Sequence, residues 1–319
     1  MGSITVSSVS RIVESILVDY EGDKTIDYVN PLDKPHKAEV TVIVDKLLNI
    51  VYPGYFRDKS YKVYNTRTNL AALVEDVIYR LNKQVRLALP YGEEYRELSD
   101  EELNDASEDI VVEYFAKLPG VRGIVETDLI AAYEGDPAAG CKEEIILAYP
   151  GLMASTVNRL AHELYLLKVP LIPRLMTEYA HAVTGIDIHP GATIGKNFFI
   201  DHGTGIVIGE STIIGDNVKI YQGVTLGALS TRGGHILKNL KRHPTIENNV
   251  TIYSGASILG GDTVVGEGSV IGGNVFITKS VPAGTTVSVK NQELIFKKAG
   301  SRGIAKKEIE QDESWYYVI

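Results

Sequence analysis

From Ile246 to Phe276 a bulky apolar residue recurs at every sixth position, at Ile246, Ile252, Ile258, Val264, Val270 and Phe276, with small residues, glycine and asparagine between them. A period of six matches neither the 3.6 residues of a helical turn nor the alternation of an ordinary strand. It matches a parallel β-helix, in which one large side chain per hexad fills the interior and small residues make the corners. Traced backwards, the register returns at Leu226, Ile220, Ile214 and Ile208, and again at Ile200, Ile194 and Ile188. Ile200 and Ile208 are eight apart, so the coil must bulge by two residues around Asp201-His202-Gly203-Thr204-Gly205, which glycine permits. A second break, 227–245, is too long for a corner and is read as an inserted loop. Both irregularities carry histidine, and breaks in a regular solenoid are where function is expected.

Upstream the spacing changes to that of helices. Leu70, Leu73, Val74, Val77, Ile78 and Leu81 predict an amphipathic helix over 68–89, stopped by Pro90. A second is predicted over 99–118, with acids in its first turn and Pro119-Gly120 closing it. Two more are predicted over 156–168 and 172–184, with Pro170 and Pro173 marking the break. Residues 1–60 are mixed in pattern, with an apolar stretch at 40–52, and carry no chemical motif. The expectation is an α+β chain: a helical domain over 1–185, a parallel β-helix over 186–290 with the inserted loop 227–245, and a tail over 291–319. Glycine usage divides the chain in the same way, since 18 of its 30 glycines fall between Gly191 and Gly284.

A net charge of −9 over 319 residues opposes nonspecific binding to nucleic acid or an anionic membrane. The single cysteine, Cys141, excludes an intramolecular disulfide and a cysteine-based zinc site. With no apolar run of membrane-spanning length, the composition reads as soluble and cytoplasmic. Between Lys279 and Lys307 seven basic residues stand against one acid, Glu293. That patch suits a polyphosphate ligand, or simply a solvated face.

His202 lies in the bulge beside Asp201, and Asp187 lies 15 residues earlier, in Ile186-Asp187-Ile188-His189-Pro190. An imidazole steadied by a carboxylate can remove a proton near neutral pH. No serine occupies a nucleophile-elbow motif, so such a base would act on a hydroxyl of the substrate. An isolated Asp-His pair is more often a hydrogen-bonded corner. His189, before Pro190, reads as structural, His162 and His181 as packing residues of helices, and His36 as solvated. A three-histidine metal site of the kind some β-helix enzymes carry needs a closely spaced histidine pair, which this chain lacks. No metal is therefore expected.

Four segments together, Asp187-Ile188-His189-Pro190, the run from Ile200 to Glu210, Gly223-Val224-Thr225-Leu226-Gly227 and Arg242-His243-Pro244, closely resemble the serine O-acetyltransferases of cysteine biosynthesis. The resemblance spans about 136–282. It implies a left-handed β-helix assembled as a trimer, or as a dimer of trimers, with acetyl-CoA as co-substrate in a groove between coils of adjacent subunits and no tightly bound cofactor. By motif, His202 would be the general base and Asp187 would orient it. Asp136, Asp201, Arg242 and His243 would hold serine, and cysteine if the enzyme is feedback-inhibited. Gly227, Ser254, Gly255, Gly272, Gly273 and Lys290 would line the acetyl-CoA groove. The residue types agree, because a zwitterionic amino acid needs carboxylates for its ammonium and a cation for its carboxylate. Rival acceptors are homoserine or a sugar, and a catalytically dead scaffold is the rival outside enzymes.

Two departures stand out. The loop after Leu226 is longer than in typical members, through 235–241, and the usual Gly-x-Pro-Ala-Arg segment after the last coil is replaced by Val289-Lys290-Asn291-Gln292-Glu293. The chain ends in Ile319, as family members commonly do, and the resemblance implies that this terminus docks into O-acetylserine sulfhydrylase.

Overall fold

The structure is a computed structural model, and it describes residues 5–22, 24–26, 34–56, 65–230, 232–237 and 240–289. Lys290, the tail 291–319 and its terminal Ile319 lie outside the described residues. By contacts the chain divides into two units, 1–34 and 35–319. The first contains α1 (Val6–Tyr20), started by Thr5, whose side chain accepts from the Ser8 amide; none of its residues is buried.

The second unit opens with α2 (Lys37–Val51), α3 (Thr66–Ala88), α4 (Asp100–Gly135), α5 (Lys142–Ala148), α6 (Pro150–Leu166) and α7 (Ile172–Thr184). The mixed stretch at 40–52 is α2, which buries Val40, Ile43, Val44, Leu47, Leu48 and Val51 at helical spacing. α4 begins with a reciprocal cap: the Ser99 hydroxyl accepts from the Glu102 amide and the Ser99 amide donates to the Glu102 carboxylate. The predicted stop at Pro119 is wrong, because α4 runs through it to Gly135. An interior proline costs about 3 kcal/mol. Leu118, Val121, Val125 and Ala132 keep one face of α4 buried across it, and side chains of valine or leucine size contribute roughly 1.5–3 kcal/mol each when buried. α6 starts at Pro150, six residues ahead of the predicted 156, and α7 matches its predicted span.

Gly185 ends α7 in the left-handed conformation, and the coils begin at once. Three sheets of short parallel strands form the sides of a prism. The first contains β1 (Asp187–Ile188), β4 (Val207–Ile208), β7 (Thr225–Gly227), β10 (Ser257–Leu259) and β13 (Phe276–Ile277). The second contains β2 (Thr193–Ile194), β5 (Ile213–Ile214), β8 (Thr245–Ile246) and β11 (Val264–Val265). The third contains β3 (Phe199–Asp201), β6 (Lys219–Tyr221), β9 (Thr251–Ile252), β12 (Val270–Ile271) and β14 (Thr286–Val287). Ile188, Ile208, Ile214, Ile220, Leu226, Ile246, Ile252 and Ile258 stack inside, as the hexad predicts.

Beyond Ile258 the predicted register fails by one residue. The interior is filled by Val265, Ile271 and Ile277, which align with Ile246, Ile252 and Ile258, whereas Phe276 is 69% exposed. A slip of one reverses every side chain of a strand. The extra residue lies in the corner Leu259-Gly260-Gly261-Asp262-Thr263, where Gly260 has φ +108° and a Cβ on Gly261 would lie 2.0 Å from the Lys241 carbonyl oxygen. This corner is widened where the base of the inserted loop presses on it.

A buried ion pair ties the helices to the coils. Asp128 of α4 and Arg159 of α6 meet through two hydrogen bonds, 2.6 and 2.9 Å. Arg159 also donates to the carbonyls of Ile194 and Gly195, and Asp128 accepts from the Phe198 amide. The clamp sits one strand before Asp201.

Candidate active site

The corner between the third and first sheets carries the bulge. His202 adopts φ +57°, and Gly203 and Gly205 follow at +87° and +82°. A histidine in this region is strained by roughly 1–2 kcal/mol. The turn throws its ring outward, with the side chain 59% exposed. Its Nδ1 lies 3.5 Å from Oδ1 of Asp201, which is itself buried.

α4 delivers Asp136 to the same corner. A Cβ on Gly135 would lie 2.8 Å from the Phe199 ring, so only glycine lets the last turn of α4 approach β3 this closely. Asp136 Oδ1 accepts from the Ala138 amide at 2.8 Å and Oδ2 from the Tyr149 hydroxyl at 2.6 Å. These bonds, Tyr149 first, hold the Asp136 carboxyl below its ordinary range, and the charges of Lys219 and His202 add to the effect. Tyr149 is pushed up to about 12, chiefly by the same bond to Asp136. Lys219, on β6, points its ammonium at the Gly135 carbonyl at 2.8 Å and at Asp201 Oδ2 at 3.6 Å. Asp136, Tyr149, Asp201, His202 and Lys219 thus form one cluster. The expectation named only three of them. Tyr149 carries no motif, and Lys219 is one outward position of a strand among many.

Along this corner, coil above coil, lie Gln222-Gly223, then Ser254-Gly255, then Gly272-Gly273, each following a strand of the third sheet. Four of the expected acetyl-CoA residues, Ser254, Gly255, Gly272 and Gly273, therefore share a glycine-rich ridge with His202. Gly227 does not; it ends β7 at the far side of the first sheet.

That far side, the corner between the first and second sheets, gathers the remaining residues. Arg242 is ion-paired with Glu210, which also accepts from the Tyr165 hydroxyl at 3.1 Å. Burial pushes the Glu210 carboxyl up, but the bond from Arg242 and the nearby His189 and Arg242 charges hold it below its usual value. His243 is buried. Its Nδ1 faces the Ser211 amide at 3.1 Å and the Ser211 hydroxyl at 2.9 Å, and the Ser211 oxygen in turn accepts from the Arg242 and His243 amides. An Nδ1 that accepts an amide N–H leaves the proton on Nε2. Burial first, then the Arg242 charge, lower His243 to about 4. A Cβ on Gly209 would strike its ring at 2.0 Å, so glycine is required there. His189 accepts from the Gly191 amide at 3.0 Å and is likewise lowered by burial. Its expected structural role fits these contacts.

Asp187 sits on the outer face of β1, 3.4 Å from Arg174 of α7. Among the described residues its partner is Arg174, and it makes no hydrogen bond to His202 within one chain. Asp187, Glu178 and His181 offer ligand atoms within 4.8 Å of one another. Arg174, ion-paired to both carboxylates, already supplies the positive charge there.

No family model matches the chain. The plasmid serine acetyltransferase of Synechococcus elongatus is 43% identical over 260 residues, 80% of this chain and 81% of that one. The chain belongs to the serine acetyltransferase family. Two solved serine acetyltransferases from Entamoeba histolytica share the fold. Isoform 3, in complex with cysteine, aligns with TM-score 0.69 and 30% identity, covering 92% of this chain and 96% of that one. Serine acetyltransferase 1, in complex with L-cysteine, aligns with TM-score 0.68 and 35% identity, covering 88% and 98%. The helical region followed by a left-handed parallel β-helix is the architecture of this family. No helix among the described residues is long and apolar enough to cross a membrane.

Proposed function

We propose that this serine acetyltransferase moves the acetyl group of acetyl-CoA to the hydroxyl of L-serine, giving O-acetyl-L-serine and CoA, with His202 as the base. The observation that carries the reading is the cluster at the bulged corner. An exposed imidazole stands beside two carboxylates, Asp136 and Asp201, at the head of the glycine ridge.

With Nδ1 turned to Asp201, Nε2 of His202 is free to take the serine hydroxyl proton. The oxygen then attacks the thioester carbonyl carbon and a tetrahedral oxyanion forms. The C–S bond breaks, and the imidazolium returns its proton to the CoA sulfur. Asp136 and Asp201 hold the ammonium, and Arg242 the carboxylate of serine. The acetyl-CoA thiol arm follows the ridge of Ser254, Gly255, Gly272 and Gly273, while Lys290 takes its phosphates.

Arg242 and His243 stand one prism side away from His202, about six residues or roughly 15–20 Å, too far for one serine to bridge. The reading therefore includes a homotrimer in which the first-sheet face of one copy, with Asp187, Arg242 and His243, meets the bulged corner of the next. Gly227, on that same side, would then face the ridge of the neighbouring copy. Cysteine, seen in the Entamoeba complexes, would compete at the serine site.

The test is CoA release from acetyl-CoA with L-serine, L-homoserine or no acceptor, for wild type and His202→Ala. Serine-dependent turnover that collapses in the variant is expected. Preference for homoserine would overturn the acceptor, and no turnover with any acceptor would favour a scaffold. The tail reading adds that Ile319 docks O-acetylserine sulfhydrylase. Deleting Ile319 should abolish that complex in a pull-down while leaving serine turnover intact, and undiminished binding would discard it.

A further inference from the structure

The Lys219 ammonium is boxed in. It donates to the Gly135 carbonyl at 2.8 Å, lies 3.6 Å from Asp201 Oδ2, and stands over the Phe199 and Tyr221 rings at 4.7 and 4.8 Å. It is close enough to Asp136 to act on its charge. A carbonyl, two carboxylates and two ring faces are what any primary ammonium seeks. The chain already holds one such cation inside the pocket where the reading above places a second, the amino group of serine.

We propose that Lys219 is a specificity-determining residue, a resident ammonium that shares Asp201 with the amino group of the substrate and thereby limits how tightly that group is held. The charges support this. Asp136 and Asp201 bring two negative charges, Lys219 one positive charge, and the ammonium of a bound amino acid a second, so these four groups sum to zero. Without Lys219 the same two carboxylates would meet the substrate alone. An enzyme whose substrate and product both carry the ammonium gains by this limit, because the product must leave the same carboxylates. Lys219 is anchored at its tip by the end of α4, so it stays in place while the substrate enters.

The inference rests on the proposed serine site, and its test separates the two. L-Serine binding is measured by calorimetry and KM by CoA release, for wild type, Lys219→Met and Lys219→Arg. The inhibition constant of 3-hydroxypropionate, which keeps the hydroxyl and carboxylate but lacks the ammonium, is measured alongside. Lys219→Met should tighten L-serine about three- to tenfold, the order of one unit charge a few ångströms away in a partly solvated pocket. It should leave 3-hydroxypropionate within about twofold, since no ammonium competes there. Lys219→Arg should resemble wild type in both. Lys219→Gln, which removes the charge but keeps a donor for the Gly135 carbonyl, gives the same reading if the methionine variant unfolds. Serine and 3-hydroxypropionate weakening together would make Lys219 a purely structural clamp and overturn the proposal. So would no change in either. Wild type that binds L-serine but does not turn it over would break the proposed reaction and leave the Lys219 result standing.

Discussion

At the corner between the third and first sheets His202 is 59% exposed, and the nearest partner of its Nδ1 is a carboxylate oxygen at 3.5 Å. At the corner between the first and second sheets His243 is 8% exposed, and its Nδ1 is engaged twice by Ser211. The resemblance implied His202 as the base and His243 among the residues that hold serine. Their surroundings assign them different work. An imidazole that is exposed and loosely partnered can exchange a proton with a substrate. One that is buried and pinned by an amide donor is held neutral and serves as a latch, here fixing Arg242 through the shared Ser211 oxygen.

The largest expected effect breaks the first corner. His202→Ala should lower serine-dependent kcat/KM by about 10²–10⁴-fold, the usual contribution of a positioned base. His243→Asn, whose side-chain oxygen can still accept from Ser211, should lower it far less. Equal losses in steady-state assays would erase the distinction between the two.

The corners also differ in how they are assembled. The second is built from coils and the base of the inserted loop. The first draws Asp136 and Tyr149 from the helices, so it depends on the clamp between Asp128 and Arg159. Arg159→Met leaves a buried carboxylate without its cation and two carbonyls without donors. It should cost about 3–5 kcal/mol in denaturant unfolding. The surviving folded fraction should bind L-serine more weakly, because Asp136 and Asp201 are no longer held in register. Stability unchanged in Arg159→Met would show that packing alone joins the helices to the coils.

The same contrast explains what was legible beforehand. The bulge could be read because Ile200 and Ile208 are eight apart in an otherwise six-residue register, and the resemblance lent His202, Asp201 and Asp136 their roles. Lys219 and Tyr149 could not be read, since each acts through a tertiary contact that no local spacing announces: Lys219 reaches Gly135 across 84 residues, and Tyr149 meets Asp136 across 13 residues, over the turn and short helix that follow α4. Glu210 lay inside the quoted motif without a role, because its partner Arg242 arrives only when the loop folds back. Periodicity also misled locally. Val264, Val270 and Phe276 keep the six-residue spacing but follow a corner one residue too long, so their successors face inward. Pro119 failed as a stop signal because the buried face of α4 continues beyond it.

The smallest effect sharpens the second corner through pH. His243 has its folded value lowered to about 4 from an ordinary 6.5. Between those values the unfolded chain takes up a proton that the folded protein refuses, so acid favours unfolding. The stability it contributes is present above about 6.5 and is lost as the pH falls through the window to about 4. Carboxylates that are lowered in the fold, such as Asp136 and Glu210, also destabilise on acidification, so the wild-type curve alone does not isolate the histidine. Comparison with His243→Asn does, because the variant keeps those acids and removes the imidazole. Thermal midpoints recorded from pH 7 to 4 should fall more steeply in wild type than in the variant, with the curves converging as the pH drops. Parallel curves would mean that His243 accepts its proton within the fold, and the latch would then be no different in kind from the base.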